Sequence, residues 1–367
     1  MANAAKNSFL PDYAVHPGEI LQEELEVAGM QQAELADRLG VARKTVNEII
    51  KGKAPITADM ALKLERVFHL PAHVWSNLQR NYEDHRARLD EEKHLQNHLD
   101  WLRKVPVTAM VKKGWIRKFK SKTEQLAEVL SFFAIAAPEQ WQPVWKNHQV
   151  AYRRALRPGV CEIALSAWLR KGEIEAQRVI CEPFDKAKFQ TVLQEIRGLT
   201  REEDPANFIP RLQERCATAG VAVVFVPELP KTRVCGATRW MSGKAVIQLS
   251  MRYGSNDQLW FTFFHEAGHI IKHGRKEVFV DEKIQNGVDD EREQEANTFA
   301  ANQLISAVEF RHFSNEWDGR SLAPIEQFAD RIGIAPGIVV GRLQFEKKLQ
   351  NSHGNKLKVF YRWEKAA

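Results

Sequence analysis

Apolar positions across residues 17–82 recur every three to four residues, and Gly29, Gly40, Gly52 with Pro55, and Pro71 interrupt them at regular intervals. This pattern predicts a string of five short amphipathic helices in a compact domain. Residues 83–203 are charged and tryptophan-rich, with helical stretches at 123–136 and 189–196, and read as a helical connector. The period then changes. Val221 to Val226 is an apolar β-branched run, and Lys244 to Ser250 alternates Val246, Gln248 and Ser250 against Ala245, Ile247 and Leu249, so both read as strands. Gly254 and Asn256 precede a helix from about Gln258 to His273, and a further helix from Asp289 to Ile305 carries Ala296, Phe299, Ala300 and Leu304 on one face. The expected fold is mainly α with an α+β C-terminal part holding a small sheet, divided at residues 1–85, 86–203 and 204–367.

Composition narrows this picture modestly. With 367 residues the chain exceeds what one core usually organises. Apolar residues make up 44% and charged residues 27%, ordinary for globular protein, and no run is long and apolar enough to predict a membrane span or a signal segment. A cytoplasmic protein without a membrane partner is expected. Cys161, Cys181, Cys216 and Cys235 are far apart and form no C-x-x-C pair, which argues against a zinc knuckle and a disulfide framework. The balance of 53 basic to 47 acidic residues, net +6, is compatible with a nucleic-acid partner, but its distribution matters more than its sum. Arg103, Lys104, Lys112, Lys113, Arg117, Lys118, Lys120 and Lys122, interleaved with Trp115 and Phe119, could extend a DNA footprint, although such a run commonly forms a solvated face.

Residues 31–52 read as two helices around Gly40, with Leu35, Ala36, Leu39, Val46, Ile49 and Ile50 turned inward. The opposite face then carries Arg43, Lys44, Thr45, Asn47 and Glu48, with Lys51 just beyond, within reach of base edges or phosphates. Gln32 begins the preceding helix, where the helix dipole favours a phosphate. The motifs His16-Pro17-Gly18-Glu19-Ile20-Leu21, Lys53 to Leu64 and Trp75-Ser76-Asn77-Leu78-Gln79 resemble the HigA-type antitoxin branch of the Xre helix-turn-helix family over about the first eighty residues. The resemblance implies a dimer on double-stranded operator DNA. Ala42 departs from it, standing where the family usually places a Ser or Thr to cap the recognition helix.

His265-Glu266-Ala267-Gly268-His269 lies in the apolar run that begins Trp260-Phe261-Thr262-Phe263-Phe264. Four-residue spacing puts both imidazoles on one helix face, able to share a Zn²⁺ ion, while Glu266 sits beside the metal as a general base. A third ligand is required, and Glu291, Glu293 and Glu295 are available on the next helix. Glu293 precedes Ala296 by three residues and Ala300 by seven, on the inward face, whereas Glu295 points past its edge; Glu293 is therefore expected, with Glu295 in reserve. His273, one turn further on, has a supporting or surface role, and Cys235 reads as core. Residues 261–273 followed by 293–301 are similar to the ImmA/IrrE metallopeptidase family, which implies a thermolysin-like zinc fold that cuts a repressor, with His265, His269 and Glu293 as ligands. Residues 325–343 have a helix-turn-helix rhythm but no basic face, and read as packing.

These readings combine into a DNA-binding regulator with a zinc endopeptidase domain, set in toxin–antitoxin or stress control, whose protein partner is a substrate or a cognate toxin. The alternative is an antitoxin or repressor whose peptidase-like domain is a non-hydrolytic sensor or platform; the intact Glu266 argues against it. A free protease with a protein-binding head is a third reading, which Arg43, Lys44 and Lys51 disfavour.

Overall fold

The computed structural model describes residues 15–145, 159–273, 279–281 and 291–362. The chain separates into two compact units, Met1–Leu99 and Asp100–Ala367. It is mainly α, with α+β structure in its C-terminal part, as the periodicity predicts.

The first unit is five helices: α1 (Pro17–Val27), α2 (Gln32–Leu39), α3 (Arg43–Ile50), α4 (Ala58–Phe68) and α5 (Ala72–Gln96). Leu21, Leu25, Leu35, Ala36, Val46, Ile49, Leu64 and Trp75 form its core. His16 caps α1 reciprocally: its Nδ1 accepts from the Gly18 amide at 2.9 Å, and the Glu19 carboxylate accepts from the His16 amide at 3.2 Å. Gly18 also permits a close crossing, because a Cβ there would lie 2.1 Å from the Ile49 carbonyl oxygen at the end of α3. No proline or glycine interrupts residues 72–96, and α5 accordingly continues well past Tyr82.

The units divide at the short helix α6 (Leu99–Leu102), and α7 (Val107–Lys112) and α8 (Lys122–Phe133) follow it. Further on, α9 (Glu162–Arg178), α10 (Lys186–Leu199) and α11 (Pro205–Thr218) lead into strands β1 (Val221–Phe225), β2 (Gly236–Met241) and β3 (Lys244–Leu249). The helix α12 (Asn256–Lys272), the short strand β4 (Phe279–Asp281), and helices α13 (Glu291–Leu304), α14 (Ala307–Glu316), α15 (Ala323–Ile332) and α16 (Pro336–Phe345) follow. Asp289, the expected start of the second site helix, lies outside the described residues.

The sheet has the order β1-β3-β2-β4, with β1 parallel to β3 and the other pairs antiparallel. Sequence patterning finds β1 and β3 but passes over β2, whose Gly236 and Arg239 break the apolar alternation. Ser242 and Gly243 join β2 to β3 with φ values of 49° and 82°, the two-residue primed turn that suits strand twist. Although β3 alternates in sequence like a half-exposed strand, both its faces are covered. Ala245, Ile247 and Leu249 join the core that contains Trp260, Phe263 and Phe264 of α12. On the other face Gln248 donates to the Trp168 carbonyl of α9 at 2.7 Å. Gly172 is what lets α9 come so near, since a Cβ there would lie 1.8 Å from the Gln248 side-chain oxygen. Residues 325–343 fold as α15 and α16 around the left-handed Gly333, and Ile325, Phe328, Val339, Val340 and Leu343 enter the same core, so their rhythm serves packing.

Candidate metal centre and candidate nucleic-acid interface

In α12 the apolar sequence drives burial on nearly every side, which carries His265, Glu266 and His269 inward with it. All three are at most 1% exposed. Burying such groups is costly unless they are hydrogen-bonded or hold an ion. Gly268 faces Ala296 of α13, and a Cβ at Gly268 would lie 3.2 Å from the Ala296 Cα, so two small residues set the spacing of the helices. At that spacing the Glu293 carboxylate reaches both imidazoles: Oε2 is 3.2 Å from His265 Nε2, and Oε1 is 3.3 Å from His269 Nε2. The two Nε2 atoms are 3.0 Å apart.

These separations can be compared with a tetrahedral site. Bonds of about 2.0–2.1 Å from one zinc ion to three ligands would leave neighbouring ligand atoms about 3.3–3.4 Å apart. The two imidazole nitrogens and the carboxylate, which meets each ring with a different oxygen, are therefore nearly at coordinating separation, and the two-imidazole, one-carboxylate set suits zinc. Among the described residues, His265, His269 and Glu293 are the group whose ligand atoms converge in this way. Burial, aided by the neighbouring imidazoles, pushes His269 down to about 4, which keeps the ring neutral and its lone pair available near pH 7. For Glu293 burial opposes the charge, but hydrogen bonds with His265 and His269 outweigh it and hold the carboxyl well below its usual range.

Glu295 goes elsewhere: its side chain is 51% exposed and its Oε2 lies 3.8 Å from His273 Nδ1. His273 Nε2 lies 3.3 Å from the Arg292 carbonyl oxygen, so this third imidazole meets the start of α13. Cys235 is buried ahead of β2 and is not part of the converging group.

Three neighbours of the cluster escape the sequence reading. Asn297 Oδ1 is 3.0 Å from His265 Nδ1, placed to accept from an Nδ1–H and so to leave the Nε2 lone pair for a metal when one is bound. Its position four residues after Glu293, one helical turn along the same face, is the signal that could have found it. The Thr238 hydroxyl, on β2, donates to Glu266 Oε2 at 2.5 Å. Gly236, also on β2, makes room for that carboxylate, because a Cβ there would lie 2.6 Å from Glu266 Oε1. Neither could be placed while β2 itself was unrecognised.

In the first unit, α2 ends at Gly40 in the left-handed conformation (φ 66°) and α3 starts after Ala42, which provides no side-chain cap. Forgoing such a cap costs about 1 kcal/mol. Leu35, Ala36, Leu39, Val46 and Ile49 are buried as expected, while Ile50 is only half-buried. Arg43, Lys44 and Lys51 are exposed, and Thr45, Asn47 and Glu48 are half-buried on the flank of α3. Lys44 pairs loosely with Glu48 at 3.7 Å, a contact that an anion could displace at little cost. Gln32 is the first residue of α2, and its side-chain amide donates to Gln22 Oε1 at 3.3 Å.

Comparison with known proteins gives two matches in different parts of the chain. Residues 21–75 match the helix-turn-helix family model, and residues 221–344 match that of the IrrE N-terminal-like domain. Virulence-associated protein I of Dichelobacter nodosus is 42% identical over 80 residues, which are 22% of this chain and 74% of the relative. A solved addiction-module antidote protein of the HigA family from Coxiella burnetii is 36% identical over 23% of this chain and 92% of its own, with a TM-score of 0.22. The Pseudomonas aeruginosa antitoxin HigA, solved with the higBA promoter, is 38% identical over 23% of this chain and 94% of its own, also with a TM-score of 0.22. Among the described residues, no helix is long and apolar enough to cross a membrane.

Proposed function

Because the chain belongs to the helix-turn-helix family through residues 21–75 and carries an IrrE N-terminal-like domain over residues 221–344, we propose that it is a DNA-binding regulator whose second unit is a zinc-dependent endopeptidase acting on a protein partner. The observation that carries the enzymatic part is the approach of His265 Nε2, His269 Nε2 and the Glu293 carboxylate to 3.0–3.3 Å of one another, with Glu266 buried beside them. His265, His269 and Glu293 hold the metal. When bound, zinc supplies a Lewis acid that polarises a peptide carbonyl and makes water nucleophilic near neutral pH. Glu266 takes the proton from the attacking water and returns it to the departing amine, so water and one peptide bond give a carboxylate and an amine. Thr238 holds the Glu266 carboxylate on the β2 side of α12, which fixes the base before substrate arrives.

In the first unit, α3 enters the major groove. Arg43, Lys44, Thr45, Asn47, Glu48 and Lys51 contact bases or phosphates, and Gln32 meets a phosphate at the start of α2. The protein binds its operator as a dimer, matching two half-sites about one helical turn apart. The named relatives include antitoxins, one of them solved with promoter DNA, and this supports toxin–antitoxin control as the setting.

A peptide-library digest read by mass spectrometry tests the enzymatic part. Zinc-loaded protein should yield cut products, and Glu266→Gln should reduce their rate by about a hundredfold or more, the scale of a missing proton-transfer group. Absence of cut products from the zinc-loaded protein would remove the endopeptidase assignment, and equal cleavage by both proteins would remove Glu266 as its base.

A further inference from the structure

The connection between α7 and α8 contains a concentration of charge that neither the metal centre nor α3 uses. Residues 112–122 read Lys-Lys-Gly-Trp-Ile-Arg-Lys-Phe-Lys-Ser-Lys, six cations without an acid. We infer that this loop is a second, sequence-independent contact to the phosphate backbone of double-stranded DNA, carried by the second unit.

The loop is held in place by α8. The Arg117 amide donates to Glu128 Oε1 at 2.9 Å, the Phe119 amide donates to Gln125 Oε1 at 3.0 Å, and the Gln125 side-chain amide donates back to the Arg117 carbonyl at 3.1 Å. The Arg117 guanidinium also pairs with Glu128 at 3.0 Å and lies over the Phe119 ring at 5.2 Å. Arg117 and Phe119 are thus held against α8 and against each other, and Lys118 and Lys120 beside them are exposed. Lys112, Lys118 and Lys120 are exposed and have no ion-pair partner among the described residues.

Two features favour DNA over an anionic membrane. The aromatic side chains of the loop are not presented for insertion: Trp115 is half-buried and stacked on Phe132, with the rings 7° from parallel, and Phe119 is covered by Arg117. A membrane-binding loop would instead expose apolar groups to the lipid. The other feature is the proposed reading of the first unit, on which the choice of polyanion rests.

The test uses the full chain and a scrambled duplex about three helical turns long, with affinity followed by fluorescence anisotropy across salt concentrations. Replacing Lys112, Lys118 and Lys120 together by Gln should reduce the magnitude of the log–log salt slope by about 2 to 3, because each lost phosphate contact removes about 0.9. Arg43→Ala with Lys44→Ala should lower affinity separately, and the triple change should subtract the same increment in that background. Should the triple variant lose slope while Arg43→Ala with Lys44→Ala has no effect, the loop assignment stands and the helix-turn-helix reading fails. An unchanged slope in both backgrounds overturns the loop assignment. It is overturned equally if the triple variant keeps its DNA slope and loses binding only to vesicles containing phosphatidylserine.

Discussion

The Nδ1 atom of His265 lies 3.0 Å from Oδ1 of Asn297, so α13 provides both a carboxylate at the cluster and the acceptor that orients an imidazole one turn later. If His265 is a zinc ligand, Asn297 acts through it. Asn297→Ala should weaken zinc affinity by about 10- to 100-fold, measured by competition with a chromophoric chelator, and Asn297→Asp, which keeps an acceptor, should restore most of it. Unchanged affinity in Asn297→Ala would show that the ring needs no such support.

Gly236 should matter to catalysis without mattering to the metal. A methyl group there would stand 2.6 Å from Glu266 Oε1 and 2.7 Å from Thr262 Cγ2, and the carboxylate has to move to admit it. We expect Gly236→Ala to keep its zinc and to lose cleavage by about tenfold or more, as misplacement of a reacting group does. Full activity in this variant would mean that the position of Glu266 against β2 is incidental.

Much of this arrangement can be read from residue order alone, and the omissions have definite causes. His265 and His269 stand four residues apart within a run of hydrophobes, with Glu266 next to the first, so helical geometry alone puts both imidazoles on one face. Glu293 follows from its spacing to Ala296 and Ala300, which are fully buried. Thr238 and Gly236 do not follow, because Gly236 and Arg239 break the apolar alternation of β2, and only its antiparallel pairing with β3 and β4 brings it against α12. The burial of both faces of β3 is likewise a tertiary fact: α9, far earlier in the chain, covers the face that local patterning leaves to solvent.

His16 gives the first unit an acid-sensitive joint. Burial lowers its pKa, with Arg86 acting in the same direction and Glu19 against it, so the folded state prefers the neutral ring that accepts from Gly18. The stabilisation is present above the ordinary value of 6.5 and is lost as pH falls through the lowered folded value, where the unfolded chain binds more protons. Amide exchange in α1, corrected for its intrinsic pH dependence, should accelerate from about pH 7 to about pH 5 in the parent chain. His16→Asn, which keeps an acceptor that does not titrate, should flatten that dependence; equal dependence in both proteins would contradict the role given to His16.

Zinc content per chain is the most direct measure of whether the second unit is a metal centre built as described. After purification with zinc present, elemental analysis should find about one equivalent in the parent chain, in Glu266→Gln and in Glu295→Ala, and little in His269→Ala or Glu293→Ala. A full equivalent in Glu293→Ala together with its loss in Glu295→Ala would contradict the assignment of the third ligand, and a parent chain that binds no zinc would contradict the metal centre itself.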